Sequence, residues 1–100
     1  MIKLTVLYGH PTDVETFENY YKNHHLPKAA KMEGHEKMEL TKFLSAPDGG
    51  KPDYYRMAEF WFESPEALQK TMGSPEGQAT AADLGNFTTG GVKLIVGVVE

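Results

Sequence analysis

Val92-Lys93-Leu94-Ile95-Val96-Gly97-Val98-Val99 closes the chain as a run of strand formers with apolar side chains on both parities. Successive side chains in a strand point to opposite faces, so Leu94, Val96 and Val98 share one face while Ile95 and Val99 share the other. A strand that is apolar on both sides needs cover on both sides. The same pattern recurs in Tyr54-Tyr55-Arg56-Met57-Ala58-Glu59-Phe60-Trp61-Phe62, the strongest strand signal in the chain. There Ala58, Phe60 and Phe62 oppose Met57 and Trp61.

At the other end of the chain, Ile2-Lys3-Leu4-Thr5-Val6-Leu7-Tyr8 reads as a strand that ends at Gly9-His10-Pro11. Thr12 or Asp13 is placed to cap a helix whose apolar stripe runs through Val14, Phe17, Tyr21 and the His24/His25 pair. Pro27 disfavours helical geometry at Leu26, and one further turn is expected before Gly34. Lys37 to Leu44 alternates as a strand, and Ala46 to Asp53 is a long polar turn. Ser64-Pro65-Glu66 and Ser74-Pro75-Glu76 are two successive helix starts, each with serine at the cap, proline in the first turn and an acid near the positive end.

The order is β-α-β-β-α-β over one domain, residues 1–100: the ferredoxin-like pattern of the α+β class, a four-stranded antiparallel sheet with its helices on one face. The chain has no further element for the second face. At roughly 25 cal/mol per Å² of apolar area, a bare sheet face costs many kcal/mol. A homodimer whose sheets face each other is the economical solution. The alternative is a partly wet face helped by Lys3, Lys37, Glu39 and Glu59.

A formal charge of −4 argues against nucleic acid and anionic lipid as partners. The absence of cysteine removes disulfide, thiolate and zinc–thiolate chemistry and fits a reducing compartment, the cytoplasm. No apolar run approaches the roughly 20 residues of a membrane span, and the first residues enter a strand without the architecture of a signal peptide. No glycine-rich phosphate loop follows a strand, no nucleophile elbow appears, and no metal-ligand spacing is present. No cofactor and no metal are expected.

Chemistry is concentrated in Phe17-Glu18-Asn19-Tyr20-Tyr21-Lys22-Asn23-His24-His25-Leu26-Pro27. Imidazole titrates near neutral pH and can serve as a general acid or base. At roughly 100° per residue, His24 and His25 flank the apolar stripe on opposite sides, so periodicity alone leaves both open. Either can equally be a helix-end histidine that satisfies carbonyls and dipole. Adjacent helical side chains diverge, which makes the pair a poor chelate. Tyr8, Tyr20 and Tyr21 are amphipathic packing residues whose hydroxyls can orient a phenolic or carbonyl ligand. Met38, Leu40, Phe60 and Phe62 have the parity to face the helices, as core or as cavity wall. His10 and His35 sit at turns from which either can approach the site.

Several of these stretches, taken in order, resemble the EthD family: Ile2 to Tyr8, His10-Pro11, Phe17-x-x-Tyr20-Tyr21-x-x-x-His25-Leu26-Pro27, Ala29-Ala30-Lys31, Ala58 to Phe62, Ser74 to Ala79, Asp83-Leu84 and the glycine-led last strand. The resemblance covers nearly the whole chain and implies the dimeric α+β barrel superfamily. His25 matches the family's H-x-P histidine, which favours it over His24. Related methylmuconolactone isomerases use a histidine in this context, inside a cavity between sheet and helices. They place a cysteine where this chain has Phe60, so the resemblance carries the pocket and not the isomerase chemistry. EthD proteins are associated with ethyl tert-butyl ether degradation beside an oxygenase, and the superfamily includes cofactor-free monooxygenases, cyclases and isomerases.

The expectation is therefore a cofactor-independent enzyme for a small hydrophobic or aromatic molecule. His25 moves the proton, Tyr8, Tyr21 and His10 orient the substrate, and Met38 and Phe60 form apolar wall. The alternative is a non-catalytic binding or accessory protein of an oxygenase pathway.

Overall fold

Strands β1 (Ile2–Tyr8), β2 (Lys37–Lys42), β3 (Arg56–Phe62) and β4 (Val92–Val98) form one antiparallel sheet in the order β2-β3-β1-β4, in a computed structural model that describes residues 1–100. This is the ferredoxin-like α+β arrangement that the element order predicts. Helix α1 (Val14–Tyr20) starts at Asp13, whose carboxylate accepts the Thr16 N–H at 3.0 Å. Helices α3 (Pro65–Gly73) and α4 (Pro75–Asp83) start at Ser64 and Ser74, whose hydroxyl oxygens accept the Ala67 and Gly77 N–H groups, each at 3.1 Å. A 3₁₀ turn, Leu84–Asn86, follows.

The first helical segment departs from expectation at Pro27. Leu26 stays helical, at φ −60° and ψ −39°, and the chain runs on into α2 (Leu26–Ala29). Between α1 and α2 lies a π turn, Tyr21–His25, with the Leu26 N–H donating to the Tyr21 carbonyl. Proline has no N–H to give, and its ring crowds the carbonyl four residues back. A wider turn just ahead of it relieves that crowding, so the helix passes the proline instead of stopping.

The centre of the sheet is well covered. Leu4, Val6 and Tyr8 of β1 and Ala58, Phe60 and Phe62 of β3 are buried under the helices. The edges are not, which corrects the expectation that helices cover one whole face. Helix-side residues of β4 stay 45% (Leu94), 56% (Val96) and 71% (Val98) exposed, and Met38 and Leu40 of β2 are exposed too. The helices lie over β1 and β3 and do not reach the flanking strands. On the opposite face Lys3 pairs with Glu59 at 3.0 Å and Lys37 with Glu39 at 3.2 Å. Both lysines lie over the Trp61 ring, and Ile95 and Val99 are left bare. Strand β4 thus has open apolar surface on both sides.

Candidate functional site

The π turn sets the site. Tyr21 and His25, four residues apart, both turn inward and are 2% and 4% exposed. His24 is exposed, its ring centre 4.9 Å from that of Tyr20. His25 lies between Tyr21, nearly parallel at 6.0 Å, and Phe87 at 4.7 Å.

The imidazole Nδ1 lies 2.9 Å from Oδ2 of Asp83, the last residue of α4, which is itself buried. The other Asp83 oxygen, Oδ1, accepts the Tyr20 hydroxyl at 2.6 Å and the Asn86 amide at 3.0 Å, with the Lys28 ammonium 3.6 Å away. Burial on its own would raise the Asp83 carboxyl. The bonds from Tyr20, Asn86 and His25 and the charge of Lys28 outweigh it and hold the group down at about 2. Burial pushes the His25 imidazole below its ordinary value, against the upward pull of Asp83. At neutral pH the pair is therefore carboxylate and neutral imidazole. An ionised carboxylate only accepts, so Nδ1 carries the proton and Nε2 keeps its lone pair.

His25 forms part of the wall of a hollow between the sheet and the helices, of which fourteen of sixteen lining residues are hydrophobic. Its volume is about 30 Å³. A water needs roughly 10–15 Å³ on this measure, so the hollow as it stands has room for two. Thr80 also lines it, but its hydroxyl donates to the Glu76 carbonyl at 2.8 Å and has no proton left to give. Nearby, the Arg56 guanidinium lies over the Tyr21 ring and grips Glu18 with two bonds of 3.0 Å, while the Tyr55 hydroxyl donates to the same carboxylate at 2.9 Å. Arg56 is thereby neutralised. A larger surface groove, about 500 Å³, mixes Lys31 and Lys70 with Glu33 and Glu76 and selects no charge.

The model of the EthD domain matches residues 9–91, most of the chain. The chain belongs to the EthD family. An uncharacterised 11.0 kDa protein from the thcB–thcC intergenic region of Rhodococcus erythropolis is 35% identical over 95% of this chain and 91% of its own length. The crystal structure of an EthD family protein from Bacillus halodurans superposes with a TM-score of 0.93 at 32% identity, covering 100% of this chain and 99% of the other. A dimeric ferredoxin-like protein of unknown function from Bacteroides fragilis shares the fold at a TM-score of 0.69 and 16% identity, over 98% and 95% of the two chains.

In this EthD chain, Tyr8, Tyr21, His25 and Phe60 all line the hollow. Met38 stands one sheet row away at the exposed edge, and Leu40 takes the wall position on β2. His10 also lies outside the lining: its Nε2–H donates to the Pro52 carbonyl at 2.6 Å and ties down the turn before β3. His35 packs edge-on to Phe60 and Phe62. Nowhere do three or more His, Asp or Glu side chains converge as metal ligands would. Sequence reasoning gave Asp83 no role. It stands 58 residues from His25, and its only signal was its place in the EthD-like Asp83-Leu84 pair.

Proposed function

We propose that this EthD protein is a cofactor-independent enzyme that moves a proton on a small hydrophobic or aromatic molecule, with His25 as general base and acid. The observation that carries this reading is the buried His25–Asp83 pair beside an otherwise apolar hollow. Nε2 takes a proton from an acidified C–H or O–H of the guest. The resulting imidazolium is stabilised by the Asp83 carboxylate, and Nε2 returns the proton to another atom of the guest, so electrons and atoms balance without an external oxidant. Asp83 is a positioning residue: it fixes the tautomer and touches no substrate. Tyr8 and Tyr21 orient the guest, and Phe60 and Leu40 form apolar wall. The working unit is a homodimer, a reading supported by the uncovered apolar residues of β4.

A second reading, a non-catalytic binding or accessory protein, is favoured by one observation. Burial pushes the Tyr8 and Tyr21 phenols up, Tyr21 to about 12, so neither is a ready acid to complement His25.

Thermal-shift screening with aromatic lactones, quinones and phenols would supply ligands, and NMR in D₂O would follow hydrogen-for-deuterium exchange on each bound compound. The enzyme reading expects catalysed exchange that His25→Ala cuts by about 10²-fold or more with ligand binding retained. Exchange that is unchanged in that variant rejects it. Tight binding with no exchange in the wild type favours the carrier.

A further inference from the structure

One fully buried polar side-chain atom on a residue that lines the hollow has no partner. The Tyr21 hydroxyl is fully buried and has no hydrogen-bond partner in the chain, although Tyr21 lines the hollow beside His25. Buried polar groups are nearly always paired, because an unpaired hydroxyl forfeits its water without compensation. Arg56, the cation beside it, gives Nε and Nη2 to Glu18, and no donor or acceptor of the chain meets the Tyr21 hydroxyl in hydrogen-bond geometry.

A second observation concerns shape. Leu40, Ala58, Val6 and Leu94 stand side by side across all four strands, and all four line the hollow. In that row Ala58 is the only residue with a single carbon in its side chain, and it sits on β3 at the buried centre of the sheet. The row above it holds Met38, Phe60, Leu4 and Val96. Ala58 thus leaves a gap under the helices, next to the large ring of Phe60. Charge is the third observation. No Asp, Glu, Lys or Arg lines the hollow, and the nearest carboxylate, Asp83, lies behind His25 with Lys28 at 3.6 Å on its far oxygen.

We propose that the Tyr21 hydroxyl anchors the guest and Ala58 limits its size, so that the site takes an uncharged molecule with one hydrogen-bonding oxygen, a phenol or a ketone, on a small hydrocarbon frame. This rests on the reading of the hollow as a ligand site and deepens it by naming the ligand class. The oxygen meets Tyr21 and His25 Nε2, and the hydrocarbon lies over Ala58 against Phe60. A carboxylate is rejected because it would be buried near Asp83 with no countercharge. A benzene-sized guest needs a cavity of about 150 Å³. The hollow must therefore widen on binding, through Met32 and Met72, whose unbranched side chains line it and repack easily.

The test is an NMR titration of the full chain with benzene, phenol, cyclohexanone and benzoate, in the wild type, Tyr21→Phe and Ala58→Leu. The expected order in the wild type is phenol and cyclohexanone tighter than benzene, and benzoate weakest. Tyr21→Phe lowers the affinity for phenol about tenfold and leaves benzene within a factor of two. It also raises the melting temperature of the unliganded protein, because a stranded hydroxyl is gone. Ala58→Leu fills the gap and abolishes binding of all four compounds. The Ala58→Leu result counts with a native-like spectrum, and Tyr21→Phe carries the test where that variant does not fold. Phenol bound equally by wild type and Tyr21→Phe overturns the anchor, as does benzoate binding as tightly as phenol. Benzene bound with no oxygen preference overturns this inference and leaves the ligand site standing. No binding of any compound overturns both.

Discussion

At the scale of single residues, the pair formed by His25 and Asp83 sets both chemistry and acid response. Asp83 has a folded-state pKa depressed to about 2, so its contribution to stability is complete above the unfolded carboxylate range near 4 and is lost as pH falls toward 2. His25 is also depressed, by burial above all. Its contribution is present above about pH 6.5 and fades as pH falls through its lower folded value. Both signs agree: stability declines toward acid in two stages. Asp83→Asn should remove the lower stage in urea melts recorded across pH. It should also lower kcat/KM for any turned-over ligand by roughly 10²-fold through the wrong imidazole tautomer, with KM little changed. An unchanged acid limb would contradict the assignment. The inward turn of one histidine of the pair was not legible from periodicity, because an ideal helix puts His24 and His25 symmetrically about the stripe. Asp83 was not legible at all, because a contact spanning 58 residues leaves no local pattern.

At the scale of elements, the strands and helix starts were readable because their signals are local. Serine caps, alternation and the glycine-led last strand all act within a few residues. The π turn was not, since proline reads as a stop and only packing on the sheet makes it worth carrying the helix through. Gly77 gives a test of packing against propensity. It lies near the start of α4, where alanine is ordinarily the better helix former by about 1 kcal/mol. A Cβ there would stand 2.1 Å from the Thr71 carbonyl oxygen and 2.8 Å from the Met72 Cα, both backbone atoms that cannot swing aside. Gly77→Ala should therefore destabilise the fold, by about 1–3 kcal/mol in equilibrium urea unfolding, despite the gain in propensity. A stabilised variant would show that α3 and α4 can spread apart.

At the scale of the whole molecule, the two-sided apolar last strand was legible from its composition, and the conclusion that it needs outside cover follows from the same residues. What the sequence could not show is that the helices also stop short of its inner side. Ile95, on the face turned away from the helices, is more than half exposed in one chain, so Ile95→Asp should leave the fold intact. Sedimentation equilibrium should give twice the protomer mass for the wild type and the single mass for this variant. A wild type that stays single at micromolar concentration would refute self-association.

Leu94 belongs at once to the wall of the hollow and to the bare row of β4. Any guest that shifts it moves the strand whose other side, at Ile95, a second copy would cover, and any second copy that seats there alters the room left for a guest. Occupancy and association then share one free energy, and each must tune the other by the same factor.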